Sequence, residues 1–225
     1  KRAAELAPNL KAFTAQFNVM AGVVSSSILG CFTLADRGRM ITYWIRVMMH
    51  LKELRNFESV IAIVGGLTVT PVNRLKATWA LVPADYVEFF RQCNELMDKN
   101  FAKLRALQDV AAPPAIPYCG VYQRDLVYLE EAPTMKGDNV NLNKLKSISS
   151  VIQNCLHFQK ASYWFDTVPQ IQALVLEMPL LSETELHERS LEAEPRIPEG
   201  GVAPQPDAAP ASSSSSSSSS TGVGA

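Results

Sequence analysis

The sequence predicts an all-α protein, a single irregular multi-helix domain followed by a disordered tail, and three observations predict it. Apolar residues recur at steps of three and four along most of the chain, which is the pattern of a helix with one buried face. Sustained alternation of apolar and polar residues is absent, and only the stretch around Gly120 to Tyr128 leaves short strand pieces open. With 47% hydrophobic and 19% charged residues among 225, the chain has enough apolar surface to bury a substantial core. The tail departs from all of this. Ile197 to Ala225 holds four prolines and an unbroken Ser212 to Ser220 run, so it divides from a domain over residues 1–196 and is expected to be disordered.

The elements follow in order. Phe17 to Ala35 runs 19 residues without a charge, the length of a membrane span, yet it contains Asn18, Ser25, Ser26, Ser27, Thr33 and two glycines; it is expected as a buried core helix without membrane insertion. From Arg39, the apolar positions Met40, Trp44, Val47, Leu51 and Leu54 predict an amphipathic helix. Val60 to Leu67 carries no charge and predicts a helix buried on nearly all sides. Gly65-Gly66 within it marks a close helix contact or a helix end. After Pro83 a stripe of Tyr86, Phe89, Cys93 and Leu96 predicts a helix ending near Asn100, and Phe101, Leu104 and Leu107 continue a shorter one. Three prolines between Ala111 and Pro117 must break it. Val121 to Glu131, a turn over Pro133 to Asp138, and a run whose apolar face is Leu142, Leu145, Ile148, Ile152 and Cys155 together make a helical hairpin.

Charge and side-chain inventory exclude several function classes. The first 196 residues carry 21 basic and 20 acidic side chains, so no global field draws them to nucleic acid or to an acidic membrane. Cys31, Cys93, Cys119 and Cys155 lie 62, 26 and 36 residues apart, which matches no zinc or redox spacing, and reduced thiols in a cytoplasmic protein are expected. The three histidines, His50, His157 and His187, have no second ligand at helical spacing, so no metal site and no cofactor is expected. No phosphate-cradling glycine loop and no nucleophile elbow occurs.

What remains is a series of words that composition does not explain. Asn56-Phe57-Glu58-Ser59-Val60 is followed by Pro71-Val72-Asn73-Arg74-Leu75-Lys76-Ala77-Thr78-Trp79 and by Asn100-Phe101-Ala102-Lys103-Leu104-Arg105. Then come Ile116-Pro117-Tyr118-Cys119-Gly120-Val121-Tyr122-Gln123-Arg124-Asp125-Leu126, running into Glu130-Glu131, Asn141-Leu142-Asn143-Lys144, and Ser190-Leu191-Glu192-Ala193-Glu194-Pro195-Arg196. In this order and spacing, over about residues 8 to 196, the chain resembles the catalytic domain of the Ras-type guanine-nucleotide exchange factors, lacking that domain's first helices.

The resemblance implies a regulator that does no covalent chemistry. It binds a Ras, Rap or Ral-like small GTPase, opens its switch region with a protruding helical hairpin, and promotes GDP release and GTP loading in the cytoplasm, with any membrane recruitment left to other parts of a parent protein. By place in the motif, Val127 resembles the apolar residue that crowds the magnesium site, and Glu131 the acid that engages the GTPase's phosphate-binding loop. Ile61, Phe101 and Tyr118, with Thr14 and Thr68 at the margin, match the pocket that receives an aromatic side chain from the second switch segment. Asn56, Arg74 and Arg105 match internal scaffold. The chain also departs from the family pattern: Gln123 and Arg124 stand where Leu and Thr are common, Ala132-Pro133 replaces a Gly-Asn turn, and Leu145 stands at a usually basic position. These departures keep open an alternative, a non-catalytic GTPase-binding or scaffold module with the same fold.

Overall fold

A computed structural model describes residues 7–196, and the expectation of a disordered tail over 197–225 lies outside the described residues. The helices are α1 Pro8–Leu29, α2 Leu34–Glu53, α3 Phe57–Thr68, α4 Thr70–Asn73, α5 Lys76–Trp79, α6 Ala84–Asn94, α7 Asp98–Asp109, α8 Cys119–Glu131, α9 Leu142–His157, α10 Pro169–Leu176 and α11 Glu183–Ala193.

The centre is α3, the uncharged run of the sequence, whose Val60, Ile61, Ala62, Ile63, Val64 and Leu67 are all buried. Helix α1 crosses it at contact distance. A Cβ on Gly66 would lie 2.6 Å from the Ala21 carbonyl oxygen, so only glycine admits this approach. The Gly65-Gly66 pair is therefore a packing device inside the helix and does not end it. Helix α2 closes the other side with Ile41, Trp44, Ile45 and Met48, and its indole nitrogen donates to Ser27 Oγ at 2.8 Å. Although α1 is long and apolar enough to cross a bilayer, Val23, Val24, Ile28 and Leu29 are buried in this core. Its Ser26 Oγ accepts the Leu181 amide at 3.0 Å.

A second core, made by Phe57, Ile61, Leu96, Leu104, Val121, Tyr122 and Phe158, lies under α8 and α9. It decides the segment around Gly120 to Tyr128 against strands: Val121 and Tyr122 pack inward together, and the segment is α8. Strand pairing occurs instead at the hairpin bend, where Met135 pairs with Val140 and Lys136 with Asn139 around Gly137 at φ +63°. The helix expected to run from Pro83 to near Asn100 ends at Asn94. A short 3₁₀ turn follows, and then Lys99, Asn100 and Phe101 adopt left-handed φ values of 47°, 61° and 59°. Three consecutive non-glycine residues in that region are strained and persist only where the surroundings hold them.

Candidate functional site

The site grows from two sequence words that fold against each other. The amide of Phe57 donates to the Ile116 carbonyl at 2.8 Å, and the Ile116 amide donates to the Arg55 carbonyl at 3.0 Å, so the start of α3 is stitched to the segment leading into α8. Asn56 caps α3 by accepting the Ser59 amide at 3.0 Å. Across the junction, Glu58 Oε2 accepts the Cys119 amide at 2.9 Å and Gln108 Oε1 accepts the Tyr118 amide at 3.1 Å. Two amides at the start of α8 are thus satisfied by buried side chains from α3 and α7. Burial pushes the Glu58 carboxyl up to about 7, and burial with the nearby Glu58 pushes the Cys119 thiol up to about 12, which disfavours its thiolate.

Tyr118 is held at the centre of an aromatic cluster. Its ring centroid lies 5.7 Å from that of Phe17 on α1 and 5.4 Å from that of Phe101 on α7, with Ile61 packed in the adjoining core. Gly120 makes room for this ring, since a Cβ there would meet it at 2.5 Å. Of the residues matched to a switch pocket, the structure brings Ile61, Phe101 and Tyr118 together, with Ile61 fully buried as floor and the two aromatics half-buried. Thr14 stands one turn from Phe17 on α1, in a shallow groove with Leu10, Asn18 and Gln123. Thr68 lies apart, two turns beyond Ile61 at the end of α3, where its hydroxyl donates to the Val64 carbonyl at 2.8 Å.

Along α8, Arg124, Val127, Tyr128 and Glu131 fall at i, i+3, i+4 and i+7 and are all exposed, Val127 at 66% and Tyr128 at 73%. One face of this arm therefore runs toward the hairpin bend from the edge of the aromatic cluster, about 10 Å from Arg124 to Glu131 at the rise of an α-helix. Near the bend, Lys144 is buried. Its Nζ donates to the Ala132 carbonyl at 2.8 Å and Thr134 Oγ1 at 3.1 Å, and lies 3.3 Å from the Glu130 carboxylate. Asn141 caps α9 and donates to the Pro133 carbonyl at 2.9 Å. Ala132-Pro133, which departs from a Gly-Asn turn, is thus tied down from α9.

The scaffold residues occupy three separate joints. Asn56 caps α3. Arg105 makes a bidentate pair with Asp125 at 2.6 and 2.7 Å, fixing α7 to α8. Arg74 donates to the Ser190 carbonyl and hydroxyl at 2.7 and 3.1 Å, joining α11 to the α4–α5 corner. Both arginines are half-buried rather than enclosed. Sequence reasoning missed Phe17, Glu58, Gln108, Tyr128 and the buried state of Lys144. Only the first had an accessible signal, an aromatic on the α1 face that carries Thr14. Among the described residues no His, Cys, Asp and Glu group is arranged to hold a metal ion.

The RasGEF domain family matches residues 1–146, which contain the whole aromatic cluster, α8 and the bend. The chain is similar to Ras guanine nucleotide exchange factor Y of Dictyostelium discoideum, at 34% identity over 84% of the chain. It is also similar to Ras-specific guanine nucleotide-releasing factor 2 of Mus musculus, at 32% over 86%, and to Cell division control protein 25 of Saccharomyces cerevisiae, at 32% over 84%. The chain spans 13%, 17% and 12% of the lengths of these three relatives.

Proposed function

The chain belongs to the RasGEF domain family, and from that premise we propose that it is a guanine-nucleotide exchange factor for a Ras, Rap or Ral-like small GTPase. The observation that carries this reading is the exposed α8 face, with Val127 and Glu131 one helical turn apart beside a locked bend and an aromatic cluster at the other end. In this reading the cluster takes the second switch segment and α8 displaces the first. Val127 brings an apolar surface to the magnesium site, offering the ion no ligand and excluding water. Glu131 presents a carboxylate to the amides that otherwise bind phosphate.

No bond is made or broken by these residues. Their work is differential binding: protein and nucleotide each lower the other's affinity for the GTPase by the same factor, so release is accelerated in both directions and nucleotide supply sets the outcome. The test is release of a fluorescent guanine nucleotide from a panel of Ras, Rap and Ral-like GTPases. Wild type is expected to accelerate release from at least one. Glu131→Ala loses a charge-assisted hydrogen bond made only in the nucleotide-free complex, about 1.5 to 3 kcal/mol, or about 10- to 150-fold in rate. Val127→Ala has a smaller effect, and Tyr118→Ala weakens GTPase binding by more than about 2 kcal/mol. Circular dichroism first establishes that each variant is folded. A wild type that binds a GTPase without releasing its nucleotide sinks the exchange reading in favour of a binding module.

A further inference from the structure

We infer that Arg124 determines partner specificity, selecting a GTPase whose switch segment carries a carboxylate beside the aromatic side chain that enters the cluster. This rests on the exchange-factor reading above and adds the chemistry of the partner. The guanidinium stands over the Phe101 ring, 5.0 Å from its centroid, and Nη2 reaches toward the Asn100 carbonyl at 3.4 Å. It thus sits at the rim of the aromatic cluster, over the left-handed turn, and its charge also bears on the Tyr118 hydroxyl.

The charge is available. Among the described residues Arg124 makes no ion pair, and the neighbouring carboxylate, Asp125, is held bidentately by Arg105. It also shares the exposed α8 face with Val127, Tyr128 and Glu131, so a partner that covers those residues covers Arg124. Covering an unpaired cation leaves it desolvated, which disfavours a neutral partner and strongly disfavours a basic one. A carboxylate flanking the incoming aromatic removes that penalty and adds electrostatic steering. Threonine, common at this position in the resembling family, would impose neither preference. Arg124 is therefore the selective element on this face.

The test measures binding of the full chain to nucleotide-free GTPases at low and high salt, comparing wild type with Arg124→Thr and Arg124→Glu. For a GTPase with the flanking carboxylate, Arg124→Thr is expected to weaken binding about tenfold or more and to flatten the salt dependence, and Arg124→Glu to weaken it further. Replacing the GTPase carboxylate by its amide is expected to remove the advantage of wild type over Arg124→Thr, leaving wild type equal or weaker, which is the coupling of a double-mutant cycle. Equal affinities for wild type and Arg124→Glu, or a cycle without coupling, overturn the assignment of Arg124 while leaving the exchange reading intact. A wild type that binds no nucleotide-free GTPase overturns both.

Discussion

At the first turn of α3, Glu58 joins two parts of the site with one side chain. Its carboxylate accepts the Cys119 amide at the head of α8, beside the aromatic cluster. That bond favours the ionised form, but burial outweighs it and raises the group from 4.5 to about 7. A raised carboxyl means that the folded state holds its proton more tightly than the unfolded chain. The stability this group contributes is therefore complete below pH 4.5 and is lost as pH climbs through about 7. Tyr118 and Cys119 are themselves pushed upward and stay neutral across that window. Thermal unfolding followed across the same window is expected to show a melting temperature that falls with rising pH in wild type. In Glu58→Gln this component of the slope should be absent. An unchanged slope in the variant contradicts the role assigned to Glu58.

In the proposed function exchange depends on the hairpin, and its bend is held by one buried ammonium. Lys144 Nζ gathers the Ala132 carbonyl and the Thr134 hydroxyl, and its partner carboxylate, Glu130, is the residue before Glu131. Lys144→Met keeps the bulk and removes the donor, leaving polar groups unpaired at about 1 to 3 kcal/mol each. The loss is local to the bend. Hydrogen exchange should therefore quicken over residues 132–141 while the amides of α3 keep their protection, and nucleotide release should slow more than GTPase binding weakens. A uniform loss of protection would show that Lys144 supports the whole fold instead. Little of this was legible beforehand. A lysine at that point of an amphipathic pattern reads as a solvated charge, and only the three-dimensional bend brings acceptors around it.

Across the whole molecule, legibility follows the range of the interactions. Helices α2 and α9 could be read because each has one apolar face, and the Val60 to Leu67 part of α3 because it carries no charge. The left-handed turn over Lys99 to Phe101 could not be read, since no glycine marks it and the reason for it is tertiary. The family words gave the order of the site without its contacts. Ser190 and Glu194 of the last word bond Arg74 and Thr78 of the second, across more than 110 residues of chain. A single sequence carries residue types along the chain and no record of such pairs. The same holds for Glu58 and Cys119, 61 residues apart.

The most direct test of the central claim is the affinity of this chain for one GTPase in its nucleotide-free and its nucleotide-bound states. Tight binding to the empty GTPase, much weaker binding to either nucleotide-bound form, and dissociation of the complex by GDP and by GTP alike are expected, because the coupling is reciprocal. Equal or tighter binding to the nucleotide-bound GTPase would contradict the claim.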